Sequence, residues 1–176
     1  MSKIKIFVAI LVAFTLGYLF FGSFFSSEES LIEEKIETIL SNCEKSGADG
    51  DFGIALKTNK IKNNLDSLVF FKIEGIDKFL SKYGFISRSN YVNNSFNKDD
   101  ISSAFFYGYK TLESLEGKIE KISINIVEKR AKVLVDFTFK GKVNGFNIDE
   151  SLNFSISFIK KDKGWFVNGV ESDLSE

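Results

Sequence analysis

The chain has 176 residues, with 21 Lys, two Arg, 24 acidic residues, one Cys and neither His nor Pro. Those numbers exclude zinc sites built on His or several Cys, His-based catalytic triads and disulfide scaffolds. A net charge of −1 argues against nucleic acid as a partner, because phosphate contacts need a clustered basic face; no cofactor is implied.

In chain order, Ile6 to Phe25 comes first, 20 residues without a charge. As a helix rising about 1.5 Å per residue, that stretch matches a bilayer's hydrocarbon layer. A cut after Gly22, Ser23 or Ser26 would place Phe20, Phe21 or Phe24 third before it, where a small residue is wanted, so a cleavage site fits badly. Lys3 and Lys5 precede the stretch, and Glu28 and Glu29 follow it. The positive-inside rule then leaves the N-terminus in the cytoplasm. The expectation is a single-pass signal-anchor protein of a bacterial inner membrane. Residues 1–25 are its cytoplasmic stub and transmembrane helix, and residues 26–176 one periplasmic α+β domain. Ala9, Ala13 and Gly17 share a stripe on that helix, the spacing that lets a partner membrane helix approach closely.

Leu31, Ile32, Ile36, Ile39, Leu40 and Cys43 recur at helical spacing, with Ser30 and Glu33 set as a capping box and Gly47 as a stop. Cys43 reads as a small buried side chain, since no His is available to activate its thiol. A short second helix is expected near Phe52 to Leu56. Leu65 to Ile73 is ambiguous between strand and helix. Ile76, Phe79, Leu80 and Tyr83 suggest a short helix after Gly75, and Ser87 to Lys98 is polar and loop-like. A further helix opens at Asn97 or Asp99, carries Ile101, Ala104, Phe105, Gly108, Leu112 and Leu115 on one side, and stops at Gly117.

From Lys118 to Val170 the pattern alternates with period two. Asn144-Gly145 is a two-residue hairpin signal, because both positions tolerate positive φ. That turn sets Phe137 opposite Leu152, Val135 opposite Phe154, Val133 opposite Ile156 and Ala131 opposite Phe158. A tight turn at Glu128-Lys129 sets Ile122 opposite Val135, Ile124 opposite Val133 and Ile126 opposite Ala131. Both turns send apolar residues to one face of the central strand, and a one-residue slip would turn them all to water. The fold class is therefore α+β, with helices packed on a curved four-stranded antiparallel meander (strands about 118–127, 130–143, 146–160 and 165–171). The opposite face, with Lys121, Asn125, Thr138, Asn153 and Ser155, is either an ordinary solvated surface or a docking surface for protein.

Two stretches, Lys161-Asp162-Lys163-Gly164-Trp165-Phe166-Val167 and Glu74-Gly75-Ile76-Asp77-Lys78-Phe79-Leu80, resemble the final hairpin and the Gly-then-helix segment of the nuclear transport factor 2-like superfamily. The resemblance covers roughly Ser30 to Val170. It implies a strongly bent sheet wrapped around helices as a cone. Some members are cone-pocket cyclases, isomerases or dehydratases, and many are not catalytic. The single-span layout is similar to that of inner-membrane scaffold subunits of type IV secretion systems.

Function divides three ways. The leading expectation is a non-catalytic subunit or scaffold of a bacterial envelope complex, with membrane and envelope proteins as partners. An alternative is a cone pocket for a small apolar ligand or lipid, lined by Phe137, Phe139, Phe154, Phe158 and Tyr109. A His-free lyase or isomerase would have to use the rim carboxylates Glu120 and Glu150, the acidic interruptions of the apolar sheet face, with pKa values raised by burial.

Overall fold

A computed structural model describes residues 27–47, 49–84 and 93–174. Two compact units divide the chain, residues 1–33 and 34–176. In the first, the amide of Ser30 donates to Ser27 Oγ at 3.1 Å, so Ser27 rather than Ser30 takes the capping role. Helix α1 (Glu28–Cys43) starts there.

The second unit continues with α2 (Asp51–Asn64), β1 (Leu65–Glu74), α3 (Ile76–Lys82), β2 (Asn93–Asn97) and α4 (Lys98–Thr111). Four strands follow: β3 (Leu112–Val127), β4 (Arg130–Val143), β5 (Phe146–Lys161) and β6 (Gly164–Asp173). They form one six-stranded sheet in the order β2-β1-β6-β5-β4-β3. Only the β1–β6 pairing is parallel. The expected four-stranded antiparallel meander is thereby corrected to a six-stranded mixed sheet.

Each difference has a local cause. β1 pairs with β6 across most of the chain, so no turn marks its register, and its apolar run fits a helix equally well. β2 is five polar-looking residues, Asn-Asn-Ser-Phe-Asn, that pair antiparallel with β1. α4 stops at Thr111 instead of Gly117, because Leu115 is claimed by a bridge. Lys45 N donates to Leu115 O at 2.8 Å and Leu115 N to Lys45 O at 3.0 Å. α2 runs on to Asn64, well past the expected Leu56.

No helix among the described residues is long and apolar enough to cross a membrane. The transmembrane, signal-anchor and single-pass expectations are corrected on that finding, and the inner-membrane and periplasmic placement with them. The stretch Ile6–Phe25 itself, with Ala9, Ala13 and Gly17, lies outside the described residues.

The turns of the meander carry the backbone their residues suit. Asn144 and Gly145 both have positive φ, 49° and 81°, and the β4–β5 pairs run from Val143↔Phe146 to Arg130↔Ile159 without a break. Glu128 takes φ 55° at the preceding turn, giving Ile122↔Val135, Ile124↔Val133 and Ile126↔Ala131. Gly141 lies against the Ser114 carbonyl and Leu115 Cα with no room for a Cβ. The helix-facing side buries Ala131, Val133, Val135, Phe158, Trp165 and Val167, with Ile36, Ile54 and Ile61 from the helices. Burying each of these larger side chains contributes about 1.5–3 kcal/mol before entropy is counted.

Candidate functional site

At the β1–β2 end of the sheet, β1 alternates so that Val69, Phe71 and Ile73 face the helices while Leu68, Phe70 and Lys72 face outward. Phe96 on β2 pairs with Val69, and its ring meets Phe71 edge-on at 6.0 Å. Gly75, at φ 70°, turns the chain from β1 into α3 and brings Ile76 to the same place. α4 is aimed by its cap: Asn97 Oδ1 accepts from the amides of Asp99 and Asp100, both at 2.9 Å. Its Ile101, Ala104 and Phe105 then fall on one helical face.

These elements leave an open cleft of about 510 Å³ lined by Phe71, Ile73, Ile76, Phe96, Asp100, Ile101, Ala104 and Phe105. The volume falls in the range of small-molecule sites. Among the described residues its single ionisable lining residue is Asp100, whose Oδ2 accepts from Asn97 Nδ2 at 2.6 Å.

The residues expected to line a cone pocket lie elsewhere. Phe137 sits in a ring cluster, 5.6 Å from Phe139 and 5.8 Å from Phe154. Phe158 is packed in the core at 1 % exposure. Tyr109 is also core, with its hydroxyl turned into a polar clasp. That hydroxyl donates to the Glu44 carbonyl and lies 3.0 Å from Asp49 Oδ2. Lys57 Nζ reaches Glu44 O at 2.7 Å, Asp49 Oδ2 at 2.8 Å and Tyr109 Oη at 2.9 Å. Lys45 Nζ meanwhile donates to the carbonyls of Tyr109 and Leu112 at the end of α4.

Within this clasp the Lys57 hydrogen bond holds the Asp49 carboxyl below its usual range, against the cost of burial and with help from Tyr109. Burial pulls the Lys57 ammonium down, but its bonds to Asp49 and Tyr109 outweigh that and leave it above its usual range. Burial raises the Tyr109 phenol. Cys43, close by in sequence, has a thiol pushed up to about 12 by burial, far from the thiolate a nucleophile needs.

Glu120 and Glu150 part company. A bulge between Ile119 and Lys121 takes Glu120 out of the alternation and onto the outer face, where it accepts from Thr138 Oγ1 at 3.0 Å and Lys118 Nζ at 3.0 Å. Glu150 stays opposite Phe139 and accepts from the Tyr83 hydroxyl and from Lys82. Burial works to raise the Glu150 carboxyl, yet the Lys82 and Tyr83 hydrogen bonds draw it below its usual range. Tyr83 is raised by burial and by that same bond. Among the described residues no group of three acidic or thiol side chains is placed to hold a metal ion.

Sequence reasoning missed the cleft because two of its walls, β1 and β2, are elements it could not assign. One signal was present: Ile101, Ala104 and Phe105 formed a helical stripe whose small member leaves room beside two larger ones.

No protein-family model and no curated protein matches the sequence. Solved structures do match its fold. A nuclear transport factor 2-like superfamily protein of Salmonella enterica serovar Typhimurium aligns at 15 % identity and TM-score 0.61, over 84 % of this chain and 90 % of that one. A nuclear transport factor 2-like protein with a cystatin-like fold from Novosphingobium aromaticivorans aligns at 11 % identity and TM-score 0.59, over 99 % and 91 %. A protein of Streptomyces avermitilis, named as a candidate dehydratase of the same family, aligns at 7 % identity and TM-score 0.58, over 83 % and 95 %. The chain has the nuclear transport factor 2-like α+β fold.

Proposed function

We propose that this chain is a non-catalytic binding protein that holds a small apolar ligand in the cleft between β1, β2, α3 and α4. The observation that carries this reading is the cleft itself, about 510 Å³ with seven apolar lining residues and one carboxylate. Apolar walls with few polar groups are what ligand sites have in common. The non-catalytic part is supported by Asp49 and Glu150, both drawn below the usual carboxyl range. A general acid or base working near neutral pH needs the opposite shift. Dehydratase chemistry belongs to the Streptomyces protein's name.

The test is titration with the neutral dye Nile red. Saturable fluorescence enhancement is expected for the native chain. Ala104→Trp, which puts an indole in the cleft from an exposed helical position, should lower dye affinity about tenfold or more with an unchanged circular-dichroism spectrum. Equal affinity in the variant would sink the reading.

A second reading, contact with other proteins through the outer sheet face, has its own support. Leu68, Phe70 and Leu134 are exposed there. If this face docks protein, Leu134→Lys should reduce stoichiometric co-purification of a partner with no loss of thermal stability. An unchanged partner yield would count against it.

A further inference from the structure

We propose that the cleft's ligand carries a positive head group, an amine or other organic ammonium on an apolar body, held against Asp100. The proposal rests on the apolar-cleft reading and adds to it the charge of the ligand's head.

Asp100 is the single place on the lining where a head group can be recognised. It stands in the first turn of α4. Asn97 fixes the position: its Oδ1 caps the helix while its Nδ2 donates to Asp100 Oδ2. Among the described residues no Lys or Arg pairs with Asp100, whereas the adjacent Asp99 is matched by Lys62. Asp100 is therefore a carboxyl without a cationic partner among the described residues, at the edge of a cleft whose other described lining residues are apolar.

The rings point the same way. Phe71, Phe96 and Phe105 are on the lining, and the π-face of an aromatic ring attracts ammonium ions. An anionic head would meet repulsion from Asp100, with no cationic side chain on the described lining to offset it. A neutral hydroxyl could hydrogen-bond to Asp100 but would gain neither the Coulomb attraction nor the ring contact.

The experiment is calorimetric titration of the full chain with decylamine, decanol and decanoate at neutral pH, each below its aggregation concentration. The three share a tail and differ in head charge. The amine should bind most tightly, about tenfold or more above the carboxylate. Asp100→Asn, at an exposed position that keeps the Asn97 contact, should bring the amine and the alcohol to within about threefold of each other. Equal affinities for all three heads in the native chain would overturn the cation proposal while leaving an apolar cleft in place. Preference for the carboxylate would overturn it as well. Binding by none of the probes, or binding that Ala104→Trp leaves unchanged, would instead overturn the cleft reading beneath it.

Discussion

Tyr109 and Tyr83 stand in the same company, a hydroxyl beside a carboxylate and a lysine, yet the two clusters do different things. Around Tyr109 the partners come from four places: the Glu44 carbonyl after α1, Asp49 before α2, Lys57 on α2, and Lys45 reaching the end of α4. Tyr109 is 2 % exposed, and the side chains of Lys57 and Asp49 are only 25 % and 18 % exposed. Around Tyr83 the lysine is Lys82, the next residue, and its side chain is 61 % exposed. What separates them is the solvent around the lysine, since the chemical groups are the same and Tyr83 also reaches a carboxylate on a distant strand, Glu150. A polar cluster whose lysine is shielded from water stabilises the fold, while one whose lysine stands out in solvent is screened.

The sharpest way to break that comparison is to remove each lysine while keeping its length and apolar stem. Lys57→Met strips three acceptors of their shared donor. The loss should be about 2 kcal/mol, since each buried group left unpaired costs on the order of 1–3 kcal/mol and the site keeps some access to water. Lys82→Met should leave the unfolding midpoint where it was. Urea denaturation of both variants, followed by far-ultraviolet circular dichroism, checks the pair. Equal midpoint shifts would mean that the two clusters are equivalent after all.

A division between local and distant partners explains what could be read from the sequence. Asn144-Gly145 and Glu128-Lys129 each join neighbouring strands, so a two-residue turn dictated the register of β4 against both β3 and β5. The pairs Val135↔Phe154 and Ile122↔Val135 follow from counting outward. Counting fails once a residue is added, and the bulge at Glu120 carried that carboxylate to the other face with no Gly or Pro to announce it. β1 pairs with β6 in parallel, Phe70 beside Gly169 and Lys72 beside Glu171, nearly a hundred residues apart with no turn between them. β2 shows one apolar residue, Phe96, in a polar setting. Two walls of the cleft are these unannounced strands, so the cleft was illegible, although Ile101, Ala104 and Phe105 were visible as a stripe on its helical wall. Tyr109 was singled out as a pocket residue, but nothing local revealed that its hydroxyl would be consumed by a carbonyl at residue 44.

Acid titration separates the clusters from their carboxylates more finely. Asp49 and Glu150 are both held below the usual carboxyl range, so each binds its proton less readily folded than unfolded. Their contributions are then fully present above the ordinary carboxyl range, from about pH 5 upward, and fade as the pH falls through the folded values. Lys57 and Tyr109 are raised, so their contributions hold throughout the acid range and are lost only above about pH 10. Asp49→Asn should cost about 1 kcal/mol at neutral pH, and its stability curve should converge with that of the native chain towards about pH 3. Glu150→Gln should converge in the same direction with a smaller gap, because the amide oxygen can still accept from Tyr83 and the ion-pair partner it loses, Lys82, is 61 % exposed. The check is urea unfolding of all three proteins at several pH values. Curves that stay parallel for Asp49→Asn would show that the clasp acts through its neutral hydrogen bonds, with the charge on Asp49 contributing nothing to the difference between the two sites.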